Sequence, residues 1–437
     1  MTLAAKLAIG PVLFLHMRGC MTRWQWLLSQ ILRKLWLRAS AYALLGVVTA
    51  LIAIGAQYYL PWKLPEIVGA DAVDSLLNII ASSMLAVTTF SLSTMTAAYS
   101  AATTNVTPRA TKLLIEDTVS QRVLSTFVGS FLFSIVGIIV LKTGAYGPSG
   151  RSVLFIVTVI VVALVVLNLL RWIDHLTRLG RVGETTDRVE SATKAALKER
   201  LEAPYLGGVP LAPGDRDIPD GAMIVRAEKI GHLQHIDMFL LTEIADAQEQ
   251  DIYVLHNPGA FVSVDTPLAW MGTTQDVEGI GAEIRSAFSL AAVRSFEQDP
   301  RFGLAVMSEI GSRAMSSAIN DPGTALDVIG RNTRLLAFWA EGQGDRDEIE
   351  PEHPRIHVDR LKDDDLFEDA FMLMARDGAG LIEIQLRLLK CLTALSRIGP
   401  EAFRTAARRQ ADMASARAAQ ALVFARDLER LEAAARK

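Results

Sequence analysis

Four stretches without a single charged side chain lie between residues 41 and 170, at 41–60, 76–99, 123–141 and 153–170. A helix needs about 20 apolar residues to cross a ~30 Å hydrocarbon core, because each residue advances it by only ~1.5 Å. These stretches fit that length. Tyr58, Tyr59 and Trp62 stand at the end of the first as an interfacial aromatic belt. The expected fold is an α-helical membrane domain with four transmembrane helices, followed by a cytoplasmic α+β domain that is mostly helical.

A mean hydropathy of +0.28 is high for a soluble chain and low for one that is membrane throughout. The charges show where the chain divides. Residues 1–180 carry 14 Lys/Arg against 6 Asp/Glu, and residues 181–437 carry 30 against 42. The acidic excess of the second part argues against nucleic acid as a partner. Cys20 and Cys391 make no CxxC and no metal knuckle, which excludes a secreted disulfide scaffold and suits a reducing compartment.

Basic residues cluster before the first stretch, between the second and third (Arg109, Lys112, Arg122) and after the fourth (Arg171, Arg178, Arg181). The positive-inside rule makes that side cytoplasmic. A multi-pass protein of the bacterial inner membrane is expected, with both termini in the cytoplasm. The lipid bilayer is its first partner.

Residues 1–40 read as an N-terminal basic amphipathic segment. Trp24, Leu27, Leu28, Ile31 and Leu35 share one helical face, with Arg23, Arg33, Lys34 and Arg38 around it. Such a helix lies in the membrane interface. A lipoprotein signal is disfavoured, since Arg18 and Gly19 precede Cys20. Met17 and Met21 are alternative starts to Met1.

The second stretch differs from the other three. It and its edge carry ten polar side chains, Ser82, Ser83, Thr88, Thr89, Ser93 and Thr96 among them. Hydroxyls in a membrane helix allow close helix packing or line a wet path. Both readings stand, and those six residues are the pore-lining candidates. No acid, base or histidine lies inside any stretch, which weighs against an ion-coupled pump.

The transmembrane domain is thus 41–172, followed by a helical extension and a Pro/Gly linker at 173–221. Residues 222–275 form a small strand-containing module. Strand-like runs at 251–256 and 261–264 flank the turn Asn257-Pro258-Gly259. Residues 276–437 read as a helical cytoplasmic domain, interrupted by an acidic loop at 341–365. Asp299-Pro300 and Asp321-Pro322 read as helix starts, with Asp capping and Pro at the first helical position.

No P-loop, dinucleotide-binding glycine pattern, HExxH or GxSxG motif occurs, so no catalytic residue, metal site or cofactor is assigned. His232 with His235, and His353 with His357, are weak metal pairs. The most site-like strings are RSFEQDPRFG (294–303) and SSAINDPGTA (316–325). Arg294, Gln298, Asp299, Asn320 and Asp321 are the ligand-binding candidates there. Capping and buried hydrogen bonding account for the same residues.

Several strings together resemble a bacterial family of predicted membrane proteins, domain of unknown function 2254. They are TTFSLS, TPRATKLL and QRVLSTFVGSF in the first part, and GHLQHID, NPGAFVSVDTPLA, RSFEQDPRFG and INDPGTA in the second. The resemblance covers nearly everything after residue 40. It implies four spans and a cytoplasmic domain, and no established activity.

Two functions are open, taken in order of preference. One is a homo-oligomeric channel for an ion or small solute, with the second span lining the path. The other is a membrane-anchored sensor or scaffold whose cytoplasmic domain binds a ligand or partner. An enzyme comes third.

Overall fold

The structure is a computed structural model that describes residues 37, 40, 41, 43–49, 52, 70–115, 117–144, 148–344 and 349–435. It separates into two compact units, divided between Arg188 and Val189. Most of the amphipathic segment expected at 21–40 and much of the span expected at 41–60 lie outside the described residues.

Among the described residues of the first unit, three helices are long and apolar enough to cross a membrane: Asp71–Thr104, Thr118–Lys142 and Gly150–Arg178. They belong to α1 (Ala70–Asn105), α3 (Thr118–Lys142) and α4 (Pro148–Arg178), with the short α2 (Thr111–Ile115) between the first two. Each outruns its uncharged stretch. In the extension of α1 the threonine hydroxyls bond back one turn, as Thr103 Oγ1 does to Tyr99 O at 2.8 Å.

α3 is the central helix. Its buried positions include Ser120, Gly129, Ser130, Ser134 and Gly137, small residues that let neighbouring helices approach. Gly46, in the first uncharged stretch, shows how closely. A β-carbon there would lie 2.6 Å from the Gly129 carbonyl oxygen. Val73, Leu77, Phe133 and Leu154 pack one end of the bundle, and Met84, Met95, Phe127 and Trp172 belong to the cluster at the other. α4 is the reverse of α3. It exposes Ile156, Val159, Ile160, Leu164, Leu167 and Leu170. An apolar face of that extent is stable against lipid and not against water.

The chain continues through α5 (Val182–Glu202), which contains the boundary between the units. In the second unit, five strands form one sheet: β1 (Val209–Pro210), β8 (Ile356–Val358), β4 (Ile252–Val254), β6 (Pro267–Met271) and β2 (Met223–Arg226), in that spatial order. β8 runs parallel to β1 and β4, and β6 pairs antiparallel with β4 and β2. A second, antiparallel sheet has the order β5 (Phe261–Val262), β3 (Gly231–Ile236), β7 (Phe288–Ala291). Helices α6 (Met238–Gln248) and α7 (Val277–Ser286) complete this α/β part. Its core includes Leu233, Ile236, Leu241, Ile252, Val254, Leu268, Ile284 and Ile356.

The rest is helical: α8 (Pro300–Ala314), α9 (Pro322–Glu341), α10 (Asp363–Asp377), α11 (Ile382–Leu395), α12 (Glu401–Ala421) and α13 (Ala425–Ala435). Both Asp-Pro pairs start helices. Asp299 accepts from Phe302 N at the head of α8, and Asp321 from Thr324 N at the head of α9.

The structure departs from the sequence reading in five places. β1 lies in the Pro/Gly linker, and β7 lies in a stretch read as helical. β8 lies in the acidic loop. It is three residues long, and Ile356 and Val358 bury while His357 does not. The run Asp363-Asp364-Asp365, read as loop, is the first turn of α10, where negative charge suits the helix dipole. All three carboxylates are engaged, by Trp339 Nε1 (2.9 Å), Arg409 Nη1 (2.9 Å) and Arg301 Nη1 (2.8 Å). The final helix, which the sequence pattern predicts over 401–434, breaks at Leu422, which lets Leu431 return to pack with Leu389 and Ala418.

Candidate functional site

The runs flanking Asn257-Pro258-Gly259 do not pair as a hairpin. β4 joins the large sheet and β5 the small one, so the turn bridges the two sheets. Beside it is a cleft of about 420 Å³. Its other walls are Arg216 from a 3₁₀ turn, Arg294 after β7, Arg301 on α8, and Asp359 to Lys362 with Asp365 after β8. The lining holds five cationic side chains against two carboxylates.

Three of the guanidinium groups are anchored by carboxylates. Arg294 Nε and Nη2 donate to Asp299 Oδ2 and Oδ1 at 2.7 and 2.9 Å. Asp299 is 1% exposed, and its Oδ1 also accepts from Phe302 N at 3.1 Å. One carboxylate therefore holds the arginine and caps α8. The guanidinium also lies over the Phe302 ring, 5.2 Å from its centroid. Arg301 donates to Asp369 Oδ2 at 2.6 Å and Asp365 Oδ2 at 2.8 Å. Arg216 pairs with Asp359. Arg360 and Lys362 have no carboxylate partner among the described residues.

Asn257 Nδ2 donates to the Asp359 carbonyl at 2.9 Å, while its Oδ1 is buried and has no donor among the described residues. Such an acceptor is costly to leave unmet. Burial, reinforced by the Arg216 guanidinium, pushes His256 below its ordinary value despite the nearby Asp359, so the ring is neutral at pH 7.

Of the five ligand candidates read from the sequence, Arg294 lines the cleft and Asp299 stands behind it. Gln298 is buried and accepts from Ile236 N at 3.0 Å. Asn320, at φ 49°, and Asp321 lie at the exposed head of α9, where Asp321 also accepts from Thr324 Oγ1 at 2.6 Å. Neither lines the cleft. Arg216, His256, Asn257, Arg301, Arg360 and Lys362 carry no local signal beyond the Asn-Pro-Gly turn and the RSFEQDPRFG string.

The histidine pairs separate. His232 packs edge-on to Phe261, and His235 is buried. His353 contacts Thr242 Oγ1 at 2.8 Å, while His357 stacks on Tyr253 and meets Asp251 at 3.2 Å.

In the membrane unit, Ser82, Thr89, Ser93 and Thr96 are exposed on α1, and Ser83 and Thr88 are half-buried at its flanks. At 100° per residue the four exposed hydroxyls fall on one stripe with Asn78 and Ser100. Most bond back to their own helix, as Ser82 does to Asn78 O (2.9 Å), Ser83 to Ile79 O (2.6 Å), Thr88 to Met84 O (2.6 Å), Thr89 to Leu85 O (2.9 Å) and Thr96 to Leu92 O (2.9 Å). The donors are spent and the oxygen lone pairs remain.

The same unit contains a polar clasp with no sequence signature. Asp117 caps α3 through Ser120 N at 2.8 Å and receives His175 Nε2 at 2.8 Å and Arg188 Nη1 at 2.9 Å. Ser120 Oγ stands 3.1 Å from that same Nε2. A nucleophilic relay needs the carboxylate on the opposite ring nitrogen, so the arrangement is a tether and not a catalytic triad.

Helices long and apolar enough to cross a membrane, in a chain that also carries an α+β unit with a polar cleft, define a membrane protein. The chain belongs to the family described as predicted membrane protein (DUF2254), whose profile matches residues 33–394. Uncharacterized proteins of Mycobacterium bovis and Mycobacterium tuberculosis are each 32% identical to it over 116 residues. That stretch is 25% of this chain and 22% of each relative, so the match spans about a fifth of the relatives' length. No solved structure matches the chain.

Proposed function

We propose that this protein is a membrane-anchored sensor whose soluble unit binds a small polar ligand in the cleft beside Asn257-Pro258-Gly259. The cleft itself carries the reading. Its volume of about 420 Å³ falls in the range of small-molecule sites. Its arginines are held in place before any ligand arrives, and Asn257 Oδ1 offers a buried acceptor for a ligand donor. The distribution of Lys and Arg supports an inner-membrane location with a cytoplasmic soluble unit. The test is thermal unfolding of the full-length protein in detergent against a panel of polar metabolites. A stabilising compound whose effect is lost in Asn257→Ala or Arg360→Ala supports the reading, and a flat panel sinks it.

A second reading is a homo-oligomeric channel. The stripe of Ser82, Thr89, Ser93 and Thr96 favours it, because these hydroxyls face away from their own bundle. Planar bilayers containing the purified protein then conduct, and cysteines at Thr89 and Ser93 react with water-soluble thiol reagents. Silent bilayers with unreactive cysteines count against it.

A further inference from the structure

We infer that the cleft takes a phosphate-bearing anion, an assignment that rests on the ligand-binding reading and narrows it to one chemistry. The charge balance is the first ground. With the anchoring acids included, five cationic side chains meet four carboxylates (Asp299, Asp359, Asp365 and Asp369), and Arg360 and Lys362 leave the lining a local positive surplus, although the second unit is acidic in composition. The geometry of the arginines is the second. Arg294 spends Nε and Nη2 on Asp299, and Arg301 spends Nε and Nη1 on Asp369 and Asp365. Each guanidinium has five N–H donors, so Nη1 of Arg294 and Nη2 of Arg301 keep theirs for a ligand. Their forks are already fixed by these carboxylates, which lowers the ordering cost of binding.

Arg360 and Lys362 supply cations without a carboxylate partner among the described residues. A monocarboxylate has two acceptor oxygens and engages one fork. A phosphate group has three and up to two negative charges, and so matches several donors converging from different walls. The 420 Å³ of space exceeds what inorganic phosphate alone needs and leaves room for the group that the phosphate is attached to.

The experiment uses the full-length protein in neutral phosphatidylcholine nanodiscs, at constant ionic strength. Isothermal titration and thermal unfolding are run with pyrophosphate, inorganic phosphate, citrate, glycerol and magnesium chloride. Pyrophosphate is expected to bind and stabilise. Arg360→Ala/Lys362→Ala is expected to weaken that binding at least tenfold while its unliganded melting temperature stays near wild type. Raising the salt concentration weakens it further. Discs containing phosphatidic acid separate the sources. If they reproduce the stabilisation and block pyrophosphate in wild type alone, the phosphate is a lipid headgroup. If they do not, it is soluble. Citrate outperforming both phosphates overturns the assignment. So does a neutral panel compound whose binding needs Asn257 but not Arg360 or Lys362, and that result leaves the ligand-binding reading standing. No response to any probe or panel compound removes both.

Discussion

Gly259 is pressed against the Asp299 carboxylate: a β-carbon on it would lie 2.3 Å from Asp299 Oδ2. Its φ of +97° is also one that L side chains rarely adopt. The turn that walls the cleft is thus seated on the anchor of Arg294. Gly259→Ala must strain the backbone and displace a buried, hydrogen-bonded carboxylate. A loss of about 1–3 kcal/mol is expected from the backbone strain alone. Denaturant unfolding of the purified protein measures it, and a change under 0.5 kcal/mol refutes the seating.

The two Asp-Pro helix starts look alike in sequence and differ in surroundings. Asp321 caps α9 at the surface, so Asp321→Ala should cost about 1 kcal/mol, as exposed caps do. Asp299 caps α8 from a buried position and also holds Arg294. Removing it strands a guanidinium, and breaking a buried pair costs about 3–5 kcal/mol. Equal losses at the two sites would contradict the double role of Asp299. The paired measurement in one chain removes differences of preparation.

The clasp in the membrane unit predicts an acid dependence. Burial pushes the Asp117 carboxyl up. Hydrogen bonds from His175 and Ser120, with the Arg188 guanidinium, outweigh burial and hold it well below the usual carboxylate range. A carboxylate depressed on folding stabilises fully above its unfolded value of about 4, and that stability is lost as pH falls toward the folded value. Wild type should therefore exceed Asp117→Asn in stability at neutral pH, with the gap closing below about pH 4. Melting temperatures in detergent across pH 3 to 8 test this. A constant gap would show that the charge of Asp117 plays no part.

His256 gives a second pH effect, of a different kind. Burial, then Arg216, disfavours its charged form, with Asp359 opposing. Below the ordinary histidine value of about 6.5 the unfolded chain binds the proton and the folded chain resists it. Stability should fall as pH drops from about 7 through that range, and His256→Gln should flatten the slope. An unchanged slope in the variant would assign the effect to another group.

What the sequence made legible was local. Asp299-Pro300 and Asp321-Pro322 announce helices because a cap acts within three residues. The uncharged runs at 76–99, 123–141 and 153–170 announce spans because length and charge alone define them. β1 and β8 were invisible, since a strand of two or three residues exists only through a distant partner. The cleft was hidden for the same reason. Arg294 stood out in its string, but Arg216, Asn257 and Arg360 reach it from separate turns and loops. The clasp of Asp117, His175 and Arg188 draws on three helices, and no spacing in the chain records that convergence.

Two serines on α1, two residues apart, separate packing from exposure. Ser91 is fully buried and Ser93 exposed. Ser91→Leu inserts bulk among packed helices and should cost about 1–3 kcal/mol. Ser93→Leu meets no neighbour in its own bundle and should change monomer stability by less than about 0.5 kcal/mol. If the exposed stripe mates with a second copy or lines a path, Ser93→Leu should still alter the subunit distribution seen by native mass spectrometry, or reduce conductance in bilayers. If it changes neither stability nor assembly nor conductance, the stripe faces lipid, and the channel reading loses the one feature that favours it.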